Sequence, residues 1–155
     1  MTVRYARQSE LEAVNRLREA VNELHAQGRP DIFRSGFCDE LRDHVYRVFE
    51  ADNADVVVAL ADGTVAGFAM VRYIDRPESP YLCARRFYHV EEFGVDAAYR
   101  RRGIATALME FCRREAAEKG FDRLELDVWT FNDGAMKFYE SLGFQTYRRY
   151  LELKI

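Results

Sequence analysis

The sequence predicts a mixed α/β fold: one sheet of parallel and antiparallel strands with helices on its faces. Three observations carry this. Strand and helix patterns alternate through the second half of the chain. A hairpin signal, Asp62-Gly63, lies in the middle. Two apolar helical stripes come before it. The predicted order is β-α-α-β-β-β-α-β-α-β(-β), in a single domain over residues 1–155.

Each element has its own reason. Thr2 to Arg7 alternates, with Val3 and Tyr5 on one side, and reads as a strand. Ser9 with Glu12 three residues later makes a capping box for a helix. Its face is Leu11, Val14, Leu17, Val21 and Leu24, and Gln27-Gly28-Arg29-Pro30 ends it. A second helix is expected around Asp39 to Ala51, with Leu41, Val45, Val48 and Phe49 inward. Asp55 to Leu60 and Thr64 to Ile74 are the strands flanking the hairpin turn, Asp75 to Arg86 is a loop, and Phe87 to Val95 is the next strand. A helix follows Gly103, with Ile104, Ala107, Leu108, Phe111 and Ala116 as its stripe, and stops at Lys119-Gly120. Leu124 to Thr130 is a strand, Ala135 to Leu142 a short helix, and Phe144 to Ile155 is expected to supply one or two last strands.

Composition narrows the function. Forty-eight per cent of residues are hydrophobic and 32% charged, with a net charge of −3. That is a globular balance without the basic excess of a general nucleic-acid binder, so no nucleic-acid partner is expected. Three cysteines and three histidines stand far apart, with no CxxC pair. Neither a zinc site nor a disulfide framework is expected, which suits a reducing cytoplasm. The opening MTVRYARQSE lacks the apolar stretch of a signal peptide, and no apolar run is long enough to span a membrane.

The most informative run is Val95-Asp96-Ala97-Ala98-Tyr99-Arg100-Arg101-Arg102-Gly103-Ile104-Ala105. A strand ends, a turn follows, and a helix starts near Gly103. The first amides of a helix have no partner within it and bind anions, helped by the positive end of the dipole. Gly103 removes a Cβ where a phosphate must come close, and three arginines surround it. A solvated arginine cluster on a plain strand-turn-helix is the alternative.

Arg100-x-x-Gly103-x-Ala105 resembles the (Q/R)-x-x-G-x-(G/A) signature of the GNAT superfamily of N-acetyltransferases. A second stretch, Asn132-x-x-Ala135-x-x-Phe138-Tyr139-x-x-x-Gly143-Phe144, is similar to that family's N-x-x-A-x-x-F-Y-x-x-x-G-F pattern. The resemblance runs from about Tyr88 to about Tyr147. It implies the GNAT fold and acetyl-CoA as co-substrate, with no metal. Backbone amides of Arg101, Arg102, Gly103, Ile104 and Ala105 would cradle the pyrophosphate, with Arg100 at the Q/R position. The edge at Phe93, Gly94 and Val95 would pair with the pantetheine arm, and Gly94 is a plausible bulge. Asn132, also a favoured N-cap residue, would hydrogen-bond that arm.

Acetyl transfer to an amine needs a base, because an alkyl ammonium has no lone pair, and an acid for the leaving thiolate. By resemblance Tyr139 is the acid; as a bare aromatic it could equally be core. The base candidates are His89, Glu91 and Glu92. In a regular strand His89 and Glu91 share a side and Glu92 faces the other. Polyamine and thialysine acetyltransferases have an L-E-D-F-F-V stretch similar to Val90-Glu91-Glu92-Phe93-Gly94-Val95, and this favours Glu91 as base with Glu92 holding the acceptor's positive charge. The histone-type branch would instead point to His89. By the same resemblance, Val95 N–H is the candidate oxyanion donor. Phe33, Tyr81 and Trp129 are expected to line the acceptor pocket, and Cys112 reads as core.

The expected reaction is acetyl transfer to a primary amine of a small cationic molecule, by direct attack in a ternary complex. A protein N-terminal or lysine acetyltransferase is the alternative, and a non-catalytic CoA-binding module another. Arg149 to Ile155 is a candidate exchange edge for a homodimer.

Overall fold

The computed structural model describes all residues, 1–155. Five strands form one sheet in the order β1-β2-β3-β4-β5. They are β1 (Thr2–Tyr5), β2 (Ala54–Ala61), β3 (Thr64–Arg76), β4 (Arg85–Val95) and β5 (Leu124–Leu126). The first four pair antiparallel in sequence order, and β5 joins β4 in parallel after a helical crossover. The helices are α1 (Leu11–Gly28), α2 (Asp39–Phe49), α3 (Ile104–Glu118) and α4 (Asp133–Ser141). No helix is long and apolar enough to cross a membrane.

Alternation along β2 and β3 divides the core in two. Val56, Val58, Phe68 and Met70 face α1 and α2, meeting Leu11, Val14, Leu17, Val45 and Val48. Val57, Ala59, Ala69, Val71, Tyr88 and Val90 face the other way, onto Ile104, Leu108, Phe111, Cys112 and Ala116 of α3 and Tyr139 of α4. Each fully buried Val, Leu or Phe contributes about 1.5–3 kcal/mol from apolar burial. Cys112 belongs to this core, and burial pushes its thiol up to about 12. The β2–β3 hairpin turns at Asp62 and Gly63, both with positive φ (53° and 76°), as the Asp-Gly signal requires.

Two glycines thin the sheet at its centre. A Cβ on Gly67 would lie 2.9 Å from Ile104 Cγ2 and 3.0 Å from Leu108 Cδ1. A Cβ on Gly94 would lie 2.8 Å from both Phe68 Cε1 and Val21 Cγ2. Gly67 therefore lets the first turn of α3 settle on the sheet, and Gly94 does the same for α1 on the opposite face.

Three expectations need correction. The α1 capping box does not form at Ser9. A 3-10 turn occupies Gln8–Glu10, and Glu10 reaches back to accept the Arg7 N–H (2.7 Å) while pairing with Arg4. The β4 bulge is not at Gly94, which stays in register opposite Phe68; the register slips instead between Met70 and Val71, leaving Glu91 as the extra residue. The strands expected after Phe144 are absent, and no backbone hydrogen bond forms beyond that residue. The alternating Leu151, Leu153 and Ile155 are all exposed, and the segment is held only by side chains, Tyr147 on Glu125 and Glu152 on Arg29. β5 is three residues long and offers no ladder for them.

Substitution of Gly67 by Val is expected to push α3 outward and cost about 1–3 kcal/mol by overpacking. The midpoint of urea unfolding checks this.

Candidate active site

The site is built where β4 and β5 part. Their ladder covers only Tyr88–Val90 against Leu124–Leu126. Beyond it β4 continues alone from Glu91 to Val95, still held on its other side by β3. The bulge decides which backbone groups are left open. Tyr88 N–H donates to Arg123 O of the β5 side (2.9 Å), while Asp96 N–H donates to Ala66 O of the β3 side (2.9 Å). In an antiparallel pair, alternate residues point their N–H and C=O away from the partner. Counted from each end, the outward residues are Tyr88 and Val90 before the bulge, and Phe93 and Val95 after it. Phe93 and Val95 thus present unpaired backbone groups to the gap.

The same bulge turns both strand-four carboxylates toward α1 and α2. Glu92 receives Arg18 Nε (2.7 Å) and Nη2 (2.8 Å), a bidentate pair. Arg18 is only 2% exposed, and its Nη1 is held by Asn15 Oδ1 and Leu41 O. Glu91 receives Arg72 Nε on Oε2 (2.8 Å), and its Oε1 lies 3.8 Å from His44 Nε2. The regular-strand expectation of Glu91 and Glu92 on opposite sides is therefore corrected by the bulge.

A cleft of about 370 Å³ passes through the parted strands. Its floor is Val90 to Phe93, one wall is α1 at Arg18, Val21, Asn22 and His25, and the far wall runs from Leu126 to Trp129. Phe33, Phe37 and Leu41 close the top, and Asn132, Ala135 and Tyr139 line the α4 side. Aromatic rings frame the upper part: His25 stacks on Phe33, Phe33 meets Trp129 edge-on, and Trp129 stacks on Phe131. Asn132 caps α4, its Oδ1 accepting Ala135 N–H (3.1 Å). The Tyr139 ring packs on Phe93, Phe138 and Phe144, and burial alone pushes its phenol up to about 12. It is therefore protonated at neutral pH.

At the end of the free β4 edge, Gly103 has φ 79° and precedes α3. No side chain caps that helix, and the amides of Arg101 through Ala105 donate to no backbone carbonyl. Arg101 itself has φ 59°, and nothing stands within 4 Å of a Cβ built on Gly103. Open amides at a helix start, ahead of a clear space, suit an anionic diphosphate. Arg102 is partly committed, pairing with Asp62 (3.2 Å) and lying over Tyr99.

The structure brings Phe33, Glu91, Glu92, Phe93, Trp129, Asn132 and Tyr139 to one cleft. Of the expected catalytic and acceptor residues it leaves two out. His89 lies on β4 below the parting, beside Phe87, with its Nδ1 buried and unpartnered. Tyr81 projects from the loop between β3 and β4, 86% exposed, and does not line the cleft. Glu92 lines it, but both its oxygens already serve Arg18. Sequence reasoning missed Arg18 and Asp127. Arg18 left a signal: it stands seven residues after Leu11 and four after Val14, a cation on an apolar face. Asp127 left none, because alternation with Leu126 and Val128 reads as a solvent-facing strand residue.

An acyltransferase is the class of protein that this frame defines. The chain belongs to the acetyltransferase (GNAT) family, whose sequence model matches residues 14–144. It is 33% identical over 141 residues to the L-amino acid N-acetyltransferase AaaT of Escherichia coli, covering 82% of this chain and 76% of that protein. To the L-ornithine N5-acetyltransferase NATA1 of Arabidopsis thaliana it is 30% identical over 91 residues, 59% of this chain and 38% of that protein. A point mutant of the BH1408 protein from Bacillus halodurans superposes with a TM-score of 0.95 at 28% identity, covering 100% of this chain and 99% of the other. An aminoglycoside N-acetyltransferase, AAC(6')-Iy in complex with CoA, shares the fold with a TM-score of 0.76 at 22% identity, covering 99% and 93%.

The Arg18–Glu92 pair gives a stability test. Replacing Glu92 by Leu strands a buried guanidinium and is expected to cost about 3 kcal/mol. Replacing the more exposed Glu91 by Leu is expected to cost less than about 1 kcal/mol. Urea unfolding of the two variants separates the roles.

Proposed function

We propose that this protein transfers the acetyl group of acetyl-CoA to a primary amine of a small cationic molecule, by direct attack in a ternary complex. The observation that carries the reading is the alignment of three features along one path: open amides before α3, the unpaired edge at Phe93 and Val95, and a cleft holding both a carboxylate and a protonated phenol. The named activities of the bacterial and plant relatives, on amino acids and ornithine, support an amine acceptor.

In this reading the amides of Arg101, Arg102, Gly103, Ile104 and Ala105 hold the diphosphate, with Arg100 adding charge. Phe93 and Val95 pair their backbone with the pantetheine arm, as an added strand would. Asn132 keeps its amide NH₂ for the same arm while its oxygen caps α4. Acetyl-CoA is the co-substrate in this reading and supplies the activated acetyl group.

Glu91 takes the proton from the acceptor ammonium, directly or through water. Among the three β4 candidates the case for Glu91 is by elimination: His89 lies outside the cleft, and Arg18 occupies both oxygens of Glu92, whereas Glu91 Oε1 has only His44 at 3.8 Å. The freed amine lone pair attacks the thioester carbon, and an open N–H of the free β4 edge donates to the carbonyl oxygen as negative charge grows there. As the C–S bond breaks, Tyr139 gives its proton to sulfur and recovers one from solvent. Holding the two reactants in register supplies much of the remaining acceleration.

Thiol release from acetyl-CoA, measured across a panel of primary amines, tests the reading. Glu91→Gln and Tyr139→Phe are each expected to lower kcat about 10²-fold or more while leaving acetyl-CoA affinity nearly unchanged. With the phenol at about 12, wild-type kcat is expected to show no falling limb between roughly pH 7 and 10. Unaltered turnover in both variants would remove these residues from the mechanism.

A further inference from the structure

The charges along the cleft do not balance, and the imbalance falls on one residue. Arg18 neutralises Glu92, and Arg72 neutralises Glu91. Burial lowers the pKa of His25, against the opposing pull of Glu92, and so favours its neutral form. Asp127, the first residue after β5, also lines the cleft and is exposed, with neither an ion pair nor a side-chain hydrogen bond. Leu124, Leu126 and Val128 pack into the core on the α3 side. Asp127 and Trp129 lie just past the end of β5, where both line the cleft and Trp129 meets Phe33 edge-on. There Asp127 shares the cleft with the Phe33 and Trp129 rings, whose faces are already covered by His25, Phe131 and Arg29, so the rings serve as an apolar wall and Asp127 is the group left to meet a cation.

We infer that Asp127, rather than Glu92, is the specificity-determining residue of the acceptor site, and that it holds a second positive charge on the substrate, at the far end from the reacting amine. The acceptor class is then a diamine or an amino acid with a basic side chain. This rests on the acetyltransferase reading above and adds the residue that selects the acceptor. The carboxylate supplies the charge contact, and the aromatic wall covers the methylenes between the two nitrogens.

The probes are 1,4-diaminobutane and butylamine, which differ only in the second ammonium. With acetyl-CoA saturating, wild-type protein is expected to favour the diamine in kcat/KM by about tenfold or more. In Asp127→Asn that preference is expected to fall about tenfold, through the KM of the diamine, and Asp127→Glu is expected to restore part of it. A wild-type preference for butylamine, or a ratio unchanged in Asp127→Asn, overturns the inference; an equal loss on both amines does so too, because that is the signature of a base. If no amine releases thiol, the transferase reading fails by itself, and calorimetry then decides the role of Asp127. Weaker binding of 1,4-diaminobutane to CoA-saturated Asp127→Asn than to wild type supports it. Equal binding, or none by wild type, overturns it.

Discussion

The parting of β4 from β5 is the constraint on which the site depends. A sheet normally satisfies every interior backbone group, and an unpaired N–H away from water costs free energy comparable to a lost hydrogen bond. Here the ladder stops at Val90 and Leu126, and the bulge at Glu91 resets the phase so that Phe93 and Val95 face the gap. Without the extra residue, those open groups would belong to Glu92 and Gly94. The flanking structure keeps the gap from closing. β3 holds the inner side of β4 as far as Val95, α3 is seated over Gly67, and α1 over Gly94. The α4 side is filled by Tyr139 and Phe138 packing on Phe93.

The same bulge arranges the charges. It turns two adjacent acidic residues toward one helical face, where like charges would repel unless each had a cation. Arg18 and Arg72 fill that need, but in different settings. Arg18 is buried, fully engaged and bidentate, so Glu92 acts as an anchor between α1 and β4. Arg72 lies on the neighbouring strand and takes one oxygen of Glu91, whose other oxygen has only His44, at 3.8 Å. Two carboxylates adjacent in sequence thus become a structural group and a candidate catalytic one.

Much of this was legible in the chain. The apolar stripes of α1, α2 and α3 follow helical spacing, and Asp62-Gly63 forces the hairpin. The strand-turn-helix at Gly103 and the helix start at Asn132 carry their signals in local residues. What was not legible is long-range. A bulge at Glu91 follows from how β3 and β4 match over their whole length, and Glu is no more a bulge signal than its neighbours. The Arg18–Glu92 pair joins residues 74 apart in sequence. Tyr81 and His89 carry the right chemistry but lie where the fold does not bring them to the cleft. The terminal alternation of Leu151, Leu153 and Ile155 describes a strand, but pattern alone does not supply an edge to pair with.

Amide hydrogen exchange with and without coenzyme A tests the central claim most directly. If the parted edge receives the pantetheine arm, the amides of Phe93 and Val95 should exchange fast in the free protein and slow strongly at saturating coenzyme A, together with Arg101 through Ala105. Tyr88 and Val90, already bonded to the β5 side, should change little. Unchanged exchange at Phe93 and Val95, with binding verified by calorimetry in the same solution, would contradict the account.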